Sequence, residues 1–246
     1  MAPRIRLDQL IADRGLASSR SRARDMIGRG CVRVDTITAV KAAAMTSPEA
    51  NIVIDDPASA YVSRAALKLV AGLEASNIDV RGKHCLDLGA STGGFTQVLL
   101  ERGAAHVIAL DVGHGQLDVS VRGHDNVTVL EGFNARNLDE ASVGTATQIV
   151  VSDLSFVSLT IAAEPALLLA AHPAHAVLLV KPQFEVGRDG VGKGGIVTDD
   201  ALIDATNIRL QDWFNNLAGW RMTHFLPSPI KGGDGNQEFL LCGERA

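Results

Sequence analysis

The stretch from Leu86 to Thr96, Leu-Asp-Leu-Gly-Ala-Ser-Thr-Gly-Gly-Phe-Thr, constrains the fold of this chain more than any other. An apolar run, Cys85 to Leu88, breaks into glycines, and a helical pattern from Phe95 to Arg102 follows. Strand, glycine turn and helix, in that order, is how α/β folds bring backbone close to a nucleotide-like ligand. No Gly-Lys-Ser/Thr follows, so the turn is not a Walker loop, and its spacing is not Gly-x-Gly-x-x-Gly. It suits a cofactor without phosphates: Gly89 permits close approach, and nearby acids can hold an amine or ribose hydroxyls. S-adenosylmethionine answers that description. Taken alone, the stretch is equally an ordinary α/β turn.

The sequel favours the cofactor. His106 to Asp111 is another apolar run ending in an acid, about twenty residues on, where a ribose-binding carboxylate belongs. Val127 to Glu131 leads into Gly132-Phe133-Asn134, and Gln148 to Asp153 ends in a third acid. Strands that each present a polar residue at their carboxyl ends line one crevice, where open α/β sheets bind ligands.

Hydrophobic content of 46% and charged content of 21% describe an ordinary globular protein long enough for a large domain plus a small one. The start, Met1-Ala2-Pro3-Arg4-Ile5-Arg6, lacks the apolar segment of a signal peptide. Pro165 to Val180 is interrupted by His172, Pro173 and His175, and reads as helix, turn and buried strand rather than a membrane span. Cys31, Cys85 and Cys242 lie far apart, without zinc or disulfide spacing, which suits a reducing cytoplasm. Net charge is −5, yet the first 41 residues hold nine Lys/Arg against four acids. That split suggests a basic binding module on an acidic body.

In that module, Leu7, Leu10 and Ile11, and then Ala23, Met26 and Ile27, fall at helical spacing. Ser18 and Ser19 stand where the second helix needs its N-cap, and Gly28 and Gly30 where it stops. Cys31 to Val34 and Asn51 to Ile54 read as short strands. Arg20, Arg22 and Arg24 lie at the start of the second helix, suited to backbone phosphates. Arg6-Leu7-Asp8, Leu10, Ser19-Arg20, Ala23, Ile27, Gly30 and Val32-x-Val34 resemble the S4 RNA-binding domain. Asp35-Thr36 departs from the Asn-Gly usual there. The resemblance implies structured RNA as ligand, gripped through shape and phosphates. Arg6, Arg20, Arg22 and Arg24 are the candidate RNA contacts of the module, with Arg64 beyond it added to them. Asp55 to Ser59 reads as the linker, giving an S4-like domain over residues 1–59 and a second domain over 60–246.

From Ala60 a helix (Val62–Leu73) precedes the glycine-turn strand. Alternating strands and helices run to Val180, a helix spans about Ala201 to Leu217, and the strand-like runs Arg221–Leu226 and Gln237–Cys242 suit an antiparallel pair at the sheet's end. This is the pattern of a doubly wound, mostly parallel α/β sheet. Such a sheet would gather four ionisable residues: Lys68 in the first helix, Asp153 and Lys181 at strand ends, and Glu238 opening the last strand. A lysine directly after a buried strand is costly unless paired or useful; its bland reading is a structural Lys–Asp pair.

Tyr61-Val62-Ser63-Arg64, the glycine motif, Asp153-Leu154-Ser155-Phe156, Lys181-Pro182-Gln183-Phe184-Glu185 and Gly235-Asn236-Gln237-Glu238 together resemble the TlyA-type ribosomal RNA methyltransferases, also named hemolysins. In these an S4 domain precedes an FtsJ-like 2′-O-methyltransferase with a Rossmann-like sheet and helices on both faces. The resemblance runs from Arg6 to Leu241, and the FtsJ-like catalytic Lys-Asp-Lys-Glu maps onto Lys68, Asp153, Lys181 and Glu238. It implies S-adenosylmethionine as cofactor and ribosomal RNA or ribosomal subunits as substrate, with a cytidine ribose as target. Lys181 would accept the 2′-hydroxyl proton, Asp153 would aim it, and no metal is required. For the cofactor it implies Asp87, Gly89, Ser91, Gly93, Gly94 and Phe95 around the methionine end, near Asp153. Asp111 would hold the ribose, Val112 and Asn134 the adenine. The glycine-rich segment 187–195, with Arg188 and Lys193, reads either as a mobile loop over substrate or as plain surface. Because the chain stops soon after its last strand, large-subunit RNA is the expected substrate. The competing readings are a small-molecule methyltransferase, a membrane-lysing hemolysin and a non-catalytic assembly factor; the basic module, the lack of a spanning segment and the complete tetrad argue against each in turn.

Overall fold

The computed structural model describes residues 3–144 and 147–246. Met1 and Ala2, from which the reading of the amino terminus starts, lie outside them. The chain divides into two compact units, Met1–Ser59 and Ala60–Ala246.

The first unit runs β1 (Ile5–Arg6), α1 (Leu7–Asp13), α2 (Arg20–Gly28), β2 (Val32–Val34), β3 (Ile37–Thr38), β4 (Met45–Thr46) and β5 (Ile52–Ile54). Leu7, Ile11, Ala23, Met26 and Ile27 close on Val32 as its core, which is why the helical periodicity was readable. Ser19 caps α2, its Oγ accepting from the Arg22 amide at 3.2 Å. β2 lies between β3 and β5, while β1 pairs with β4. β1, β3 and β4 hold two residues each, too few for any alternation to show. Between β2 and β3, Asp35 (φ 47°) and Thr36 (φ 78°) both take the left-handed conformation of a tight hairpin turn. The pair therefore adopts the turn that Asn-Gly would, at the steric cost of a β-branched residue there. Asp35 Oδ1 offsets part of it by accepting from the Asn51 amide at 2.9 Å.

Residues 55–59 are tied back to this unit rather than hanging loose. Arg29 donates two hydrogen bonds, 2.6 and 2.8 Å, to the buried Asp56, and Arg22 Nη2 donates to Ala58 O at 2.6 Å.

The second unit contains α3 (Ala66–Ser76), β6 (His84–Leu88), α4 (Gly94–Glu101), β7 (His106–Asp111), α5 (Val119–Arg122), β8 (Val127–Glu131), α6 (Glu140–Val143), β9 (Ile149–Ser152), α7 (Leu159–Ala162), α8 (Glu164–Leu169), β10 (Ala174–Val180), α9 (Asp200–Asn215), β11 (Trp220–Pro227) and β12 (Phe239–Arg245). The sheet order is β11-β12-β10-β9-β6-β7-β8. β8, β7, β6, β9 and β10 are mutually parallel, and β12 runs antiparallel to both its neighbours. Leu86, Leu88, Val150 and Leu178 pack on one face, and Cys85, Ile149, Val151 and Val177 on the other. A sheet covered on both sides explains these unbroken apolar runs.

Two details differ from the sequence reading. α3 begins at Ala66 rather than Val62, because residues 63–66 form a turn in which Ser63 Oγ accepts from the Ala65 amide at 3.2 Å. The last two strands do pair antiparallel, but the final one, β12, is inserted between β10 and β11. Leu240, Leu241 and Cys242 are all buried, as an interior strand requires.

The chain leaves β6 for β7 and β8 on one side, then returns to place β9 on the other. That reversal opens a crevice at the carboxyl ends of β6 and β9. α3 lies against the sheet there, so close that a Cβ on Gly72 would sit 2.5 Å from Val177 Cγ1.

Two stability predictions follow from this packing. Thr36→Gly relieves a left-handed β-branched residue and should raise the first unit's stability by about 1 kcal/mol in denaturant titration. Gly72→Ala forces α3 off the sheet and should cost about 1–3 kcal/mol in the second unit. An unchanged melt for Gly72→Ala would contradict the close approach.

Candidate active site

Gly89 follows β6 with φ 81°, and a Cβ there would meet Asp153 O at 3.0 Å. Only glycine lets the first turn pass this close to the end of β9. At the end of β7, Asp111 is fixed from two sides: Oδ2 accepts from the Ser91 amide and Oδ1 from the Gly113 amide, both at 2.8 Å. Above these residues lies a cavity of about 580 Å³, lined by Gly89, Ser91, Asp111, Val112, Asn134 and Asp153, together with Gln116, Arg136 and the segment Leu154 to Val157. A second space of about 180 Å³ shares Gly89, Ser91, Asp153 and Ser155 with it and is lined by Gly94, Phe95, Lys68, Lys181 and Glu238. A larger chamber thus opens toward a smaller, charged one.

Two cofactor candidates lie behind the wall instead of on it. Gly93 lines neither space; a Cβ there would strike Leu117 Cδ1 at 2.8 Å, so its role is packing under the turn. Asp87 is fully buried. Its Oδ2 accepts from Thr96 Oγ1 at 2.6 Å, and its Oδ1 has no partner. Burial pushes its carboxyl up to about 7; the Thr96 hydrogen bond opposes this, while the Asp153 and Asp111 charges add to it. Asn134 Oδ1 accepts from the Arg136 amide at 3.1 Å, capping a short helical turn beside the cavity that the residue lines.

These residues fit S-adenosylmethionine. Each Asp111 oxygen keeps a lone pair for a ribose hydroxyl after its amide contact. The wall at Gly89 admits no side chain, so a ligand can lie directly against the backbone there.

The four ionisable residues converge. Lys181 Nζ lies 2.5 Å from Asp153 Oδ1 and donates to Ser155 Oγ at 2.8 Å. Lys68 Nζ lies 2.6 Å from Glu238 Oε2 and 3.8 Å from Asp153 Oδ2. The order is Glu238, Lys68, Asp153, Lys181, with charges alternating and the two lysines and Glu238 buried. Sheet register accounts for the convergence. Val180 pairs with Phe239, so Lys181 and Glu238 are the next residues at one end of β10 and reversed β12. Ser152 pairs with both Leu88 and Leu178, so Asp153 stands between Gly89 and the end of β10.

Neighbouring residues brace this arrangement; Glu185 and Asn236 stand in the family motifs, but the sequence assigns neither a role. Glu185 accepts from the Leu159 amide at 2.6 Å and Ser158 Oγ at 2.9 Å, tying the segment after Lys181 to the one after Asp153. Asn236 accepts from the Val197 amide at 2.9 Å and donates to Gly195 O at 2.8 Å, anchoring the end of the glycine-rich segment beside Glu238. Ser155 belongs to a quoted motif, yet a hydroxyl two residues from an acid carries no distinguishing signal. Phe156 lines the larger cavity, exposed, with φ 63°.

Of the RNA candidates, Arg6, Arg20 and Arg24 meet at one carboxylate, Asp8, at 2.9–3.2 Å. Arg22 instead reaches Ala58 O, and Arg64 sits just before α3 in the second unit. Among the described residues no cluster of His, Cys, Asp and Glu suits a metal ion, and no helix is long and apolar enough to cross a membrane.

The FtsJ-like methyltransferase model matches residues 61–245, and the S4 domain model residues 5–42. The chain belongs to the FtsJ-like methyltransferase family. Within it the chain is of the TlyA type: it is 48% identical to the 16S/23S rRNA (cytidine-2′-O)-methyltransferase TlyA of Mycobacterium tuberculosis, over 98% of this chain and 90% of that protein. Hemolysin A of Brachyspira hyodysenteriae is 38% identical over 96% of the chain and 98% of its own length. A hemolysin-named structure from Streptococcus thermophilus superposes with a TM-score of 0.73 at 31% identity, covering all of this chain and 90% of that one.

Asp87 sets a pH dependence whose sign is fixed by its raised carboxyl. Below about pH 4 both folded and unfolded states hold the proton, and no difference arises. Between there and about pH 7 unfolding releases it, so wild-type stability falls as pH rises. Melting curves without methyl donor should therefore show the advantage of Asp87→Asn growing from pH 4 to 7 and then levelling. A difference constant across that range would mean that Asp87 keeps an ordinary carboxyl.

Proposed function

We propose that this protein transfers the methyl group of S-adenosylmethionine to a cytidine ribose 2′-hydroxyl in ribosomal RNA. The observation that carries the reading is the Lys181–Asp153 pair, with Asp153 on the wall of both spaces, one suited to the cofactor and one lined by Lys68 and Glu238. The relatives' names supply the substrate, and the S4 match supports RNA as ligand.

Gly89, Asp111, Val112 and Asn134 would hold the cofactor in the larger cavity. When bound, it supplies an electrophilic sulfonium methyl. Everything else is asked of the chain. A ribose hydroxyl is a weak nucleophile and must lose its proton as it attacks. Lys181, in its neutral form, accepts that proton at Nζ, and Asp153 and Ser155 aim the amine. Lys68, held by Glu238, sits against the other oxygen of Asp153 and fixes that carboxylate in turn. Methyl transfer of this kind is governed by alignment, and two spaces meeting at Gly89 and Asp153 provide it. Arg6, Arg20, Arg22 and Arg24 bind the RNA backbone, and residues 1–59 act as the RNA-binding domain.

Labelled methyl transfer to isolated ribosomal subunits of both sizes tests the reading. Wild type should place label on ribose 2′-oxygen of cytidine. Lys181→Ala should lower the rate by about 10²–10⁴-fold, the range for a lost proton acceptor, while RNA binding persists. Lys181→Arg should be as inactive, since a guanidinium keeps the positive charge but cannot take the proton. Substantial activity in Lys181→Arg would reduce Lys181 to an electrostatic clamp. Tight RNA binding without transfer by wild type would favour a non-catalytic assembly role.

A further inference from the structure

The arginines read as phosphate contacts are not free side chains: three of them share one buried anchor. Asp8, in the first turn of α1, is fully buried. Arg6 grips it with two hydrogen bonds, Nε to Oδ1 at 3.0 Å and Nη2 to Oδ2 at 3.1 Å. From α2, Arg24 Nε donates to Oδ2 at 2.9 Å and Arg20 Nη2 to the same oxygen at 3.2 Å. The Asp8 side chain is 0% exposed, whereas those of Arg6, Arg20 and Arg24 are 41%, 46% and 56% exposed. The carboxylate therefore lies underneath, with the guanidinium groups between it and solvent.

An acid in a nucleic-acid-binding surface ordinarily weakens binding by repelling phosphate. Here its geometry points the other way. A guanidinium carries five donors, and Arg20 and Arg24 each give Asp8 only one. A long arginine left to itself loses about 2 kcal/mol of rotamer entropy when a phosphate immobilises it. Arginines already held in place have surrendered that freedom on folding. Three guanidinium charges around one buried carboxylate leave a net +2, so attraction for phosphate survives. Arg6 first, then Arg24 and Arg20, hold the Asp8 carboxyl well below the ordinary carboxylate range against the opposing effect of burial, so it stays charged at neutral pH.

We propose that Asp8 is a positioning residue for RNA recognition, which pre-assembles Arg6, Arg20 and Arg24 into a rigid clamp for neighbouring RNA phosphates. The proposal rests on the reading of the first unit as RNA-binding. It predicts a reversal of the electrostatic expectation: deleting a negative charge from the binding surface weakens binding.

The test uses the full chain, isolated ribosomal subunits as probe, and salt titration of the binding constant. Asp8→Asn should bind about tenfold more weakly than wild type with its salt slope unchanged, because all three arginines keep their charge. Arg24→Ala should also weaken binding, but with a slope shallower by about 1, as for a lost phosphate contact, and the double variant should lose less than the sum of the two. Equal or tighter binding by Asp8→Asn, while Arg24→Ala weakens, would overturn the clamp and leave simple charge attraction. No effect of Arg6→Ala, Arg20→Ala or Arg24→Ala would instead sink the RNA-binding reading of the unit, and the clamp with it. Because Asp8→Asn could unfold the unit, a measurement on wild type stands beside it. The ¹⁵Nε–Hε resonances of Arg6 and Arg24 in RNA-free protein should be distinct, rigid and slow to exchange, unlike that of Arg33. Arg33 is exposed on β2, and signals no more rigid than its own would refute pre-assembly whatever the variants do.

Discussion

Four charges in a row, Glu238, Lys68, Asp153 and Lys181, are the arrangement on which the second unit depends. Taking a carboxylate or ammonium out of water costs several kcal/mol even after relaxation, and only close opposite charge repays it. Alternation meets that condition, because each inner charge has two neighbours of opposite sign. Deleting an inner member, Lys68 or Asp153, leaves Glu238 or Lys181 buried without its partner, at about 3–5 kcal/mol. The four residues come from a helix, two parallel strand ends and the start of a reversed strand. Their meeting therefore demands the sheet order, the Val180–Phe239 register and the close approach of α3 at Gly72 all at once. Fold and site are one constraint seen from two sides.

This dependence explains what could be read from the sequence. The parallel strands declared themselves because burial on both faces makes unbroken apolar runs, and β7 and β8 were legible to the residue. Asp111 and Asp153 were recognisable because strand-end acids repeat along the chain. The place of β12 was not legible: an apolar run tells that a strand is interior, but not which neighbours it has. Gly93 and Asp87 show the limit at finer scale. Both belong to the glycine motif, yet one serves packing against Leu117 and the other is sealed beneath the wall. Sequence proximity to a turn does not distinguish a residue that faces a ligand from one that supports it. Glu185 and Asn236 stand in the family motifs, but their bracing role is hidden for a related reason. Each works through backbone amides of segments distant in sequence, which carry no side-chain signature.

The first unit turns the same physics to a different end. In the tetrad, buried charges neutralise one another and leave a lysine amine oriented. At Asp8, one buried charge is deliberately outnumbered, and the surplus lies at the surface. The two carboxylates Asp8 and Asp87 mark the extremes that environment can impose on one chemical group. Three guanidinium groups hold the first ionised, whereas isolation with a single hydroxyl partner pushes the second toward neutrality.

A net charge of −5 would argue against a nucleic-acid ligand if charge acted as an average. It does not, because screening confines exposed charges to about 8–10 Å at physiological salt. Within that radius a cluster of arginines around one carboxylate is cationic whatever the rest of the chain carries. What matters for binding is then less the count of arginines than whether they are held still, and in this sequence the residue that holds them is an aspartate.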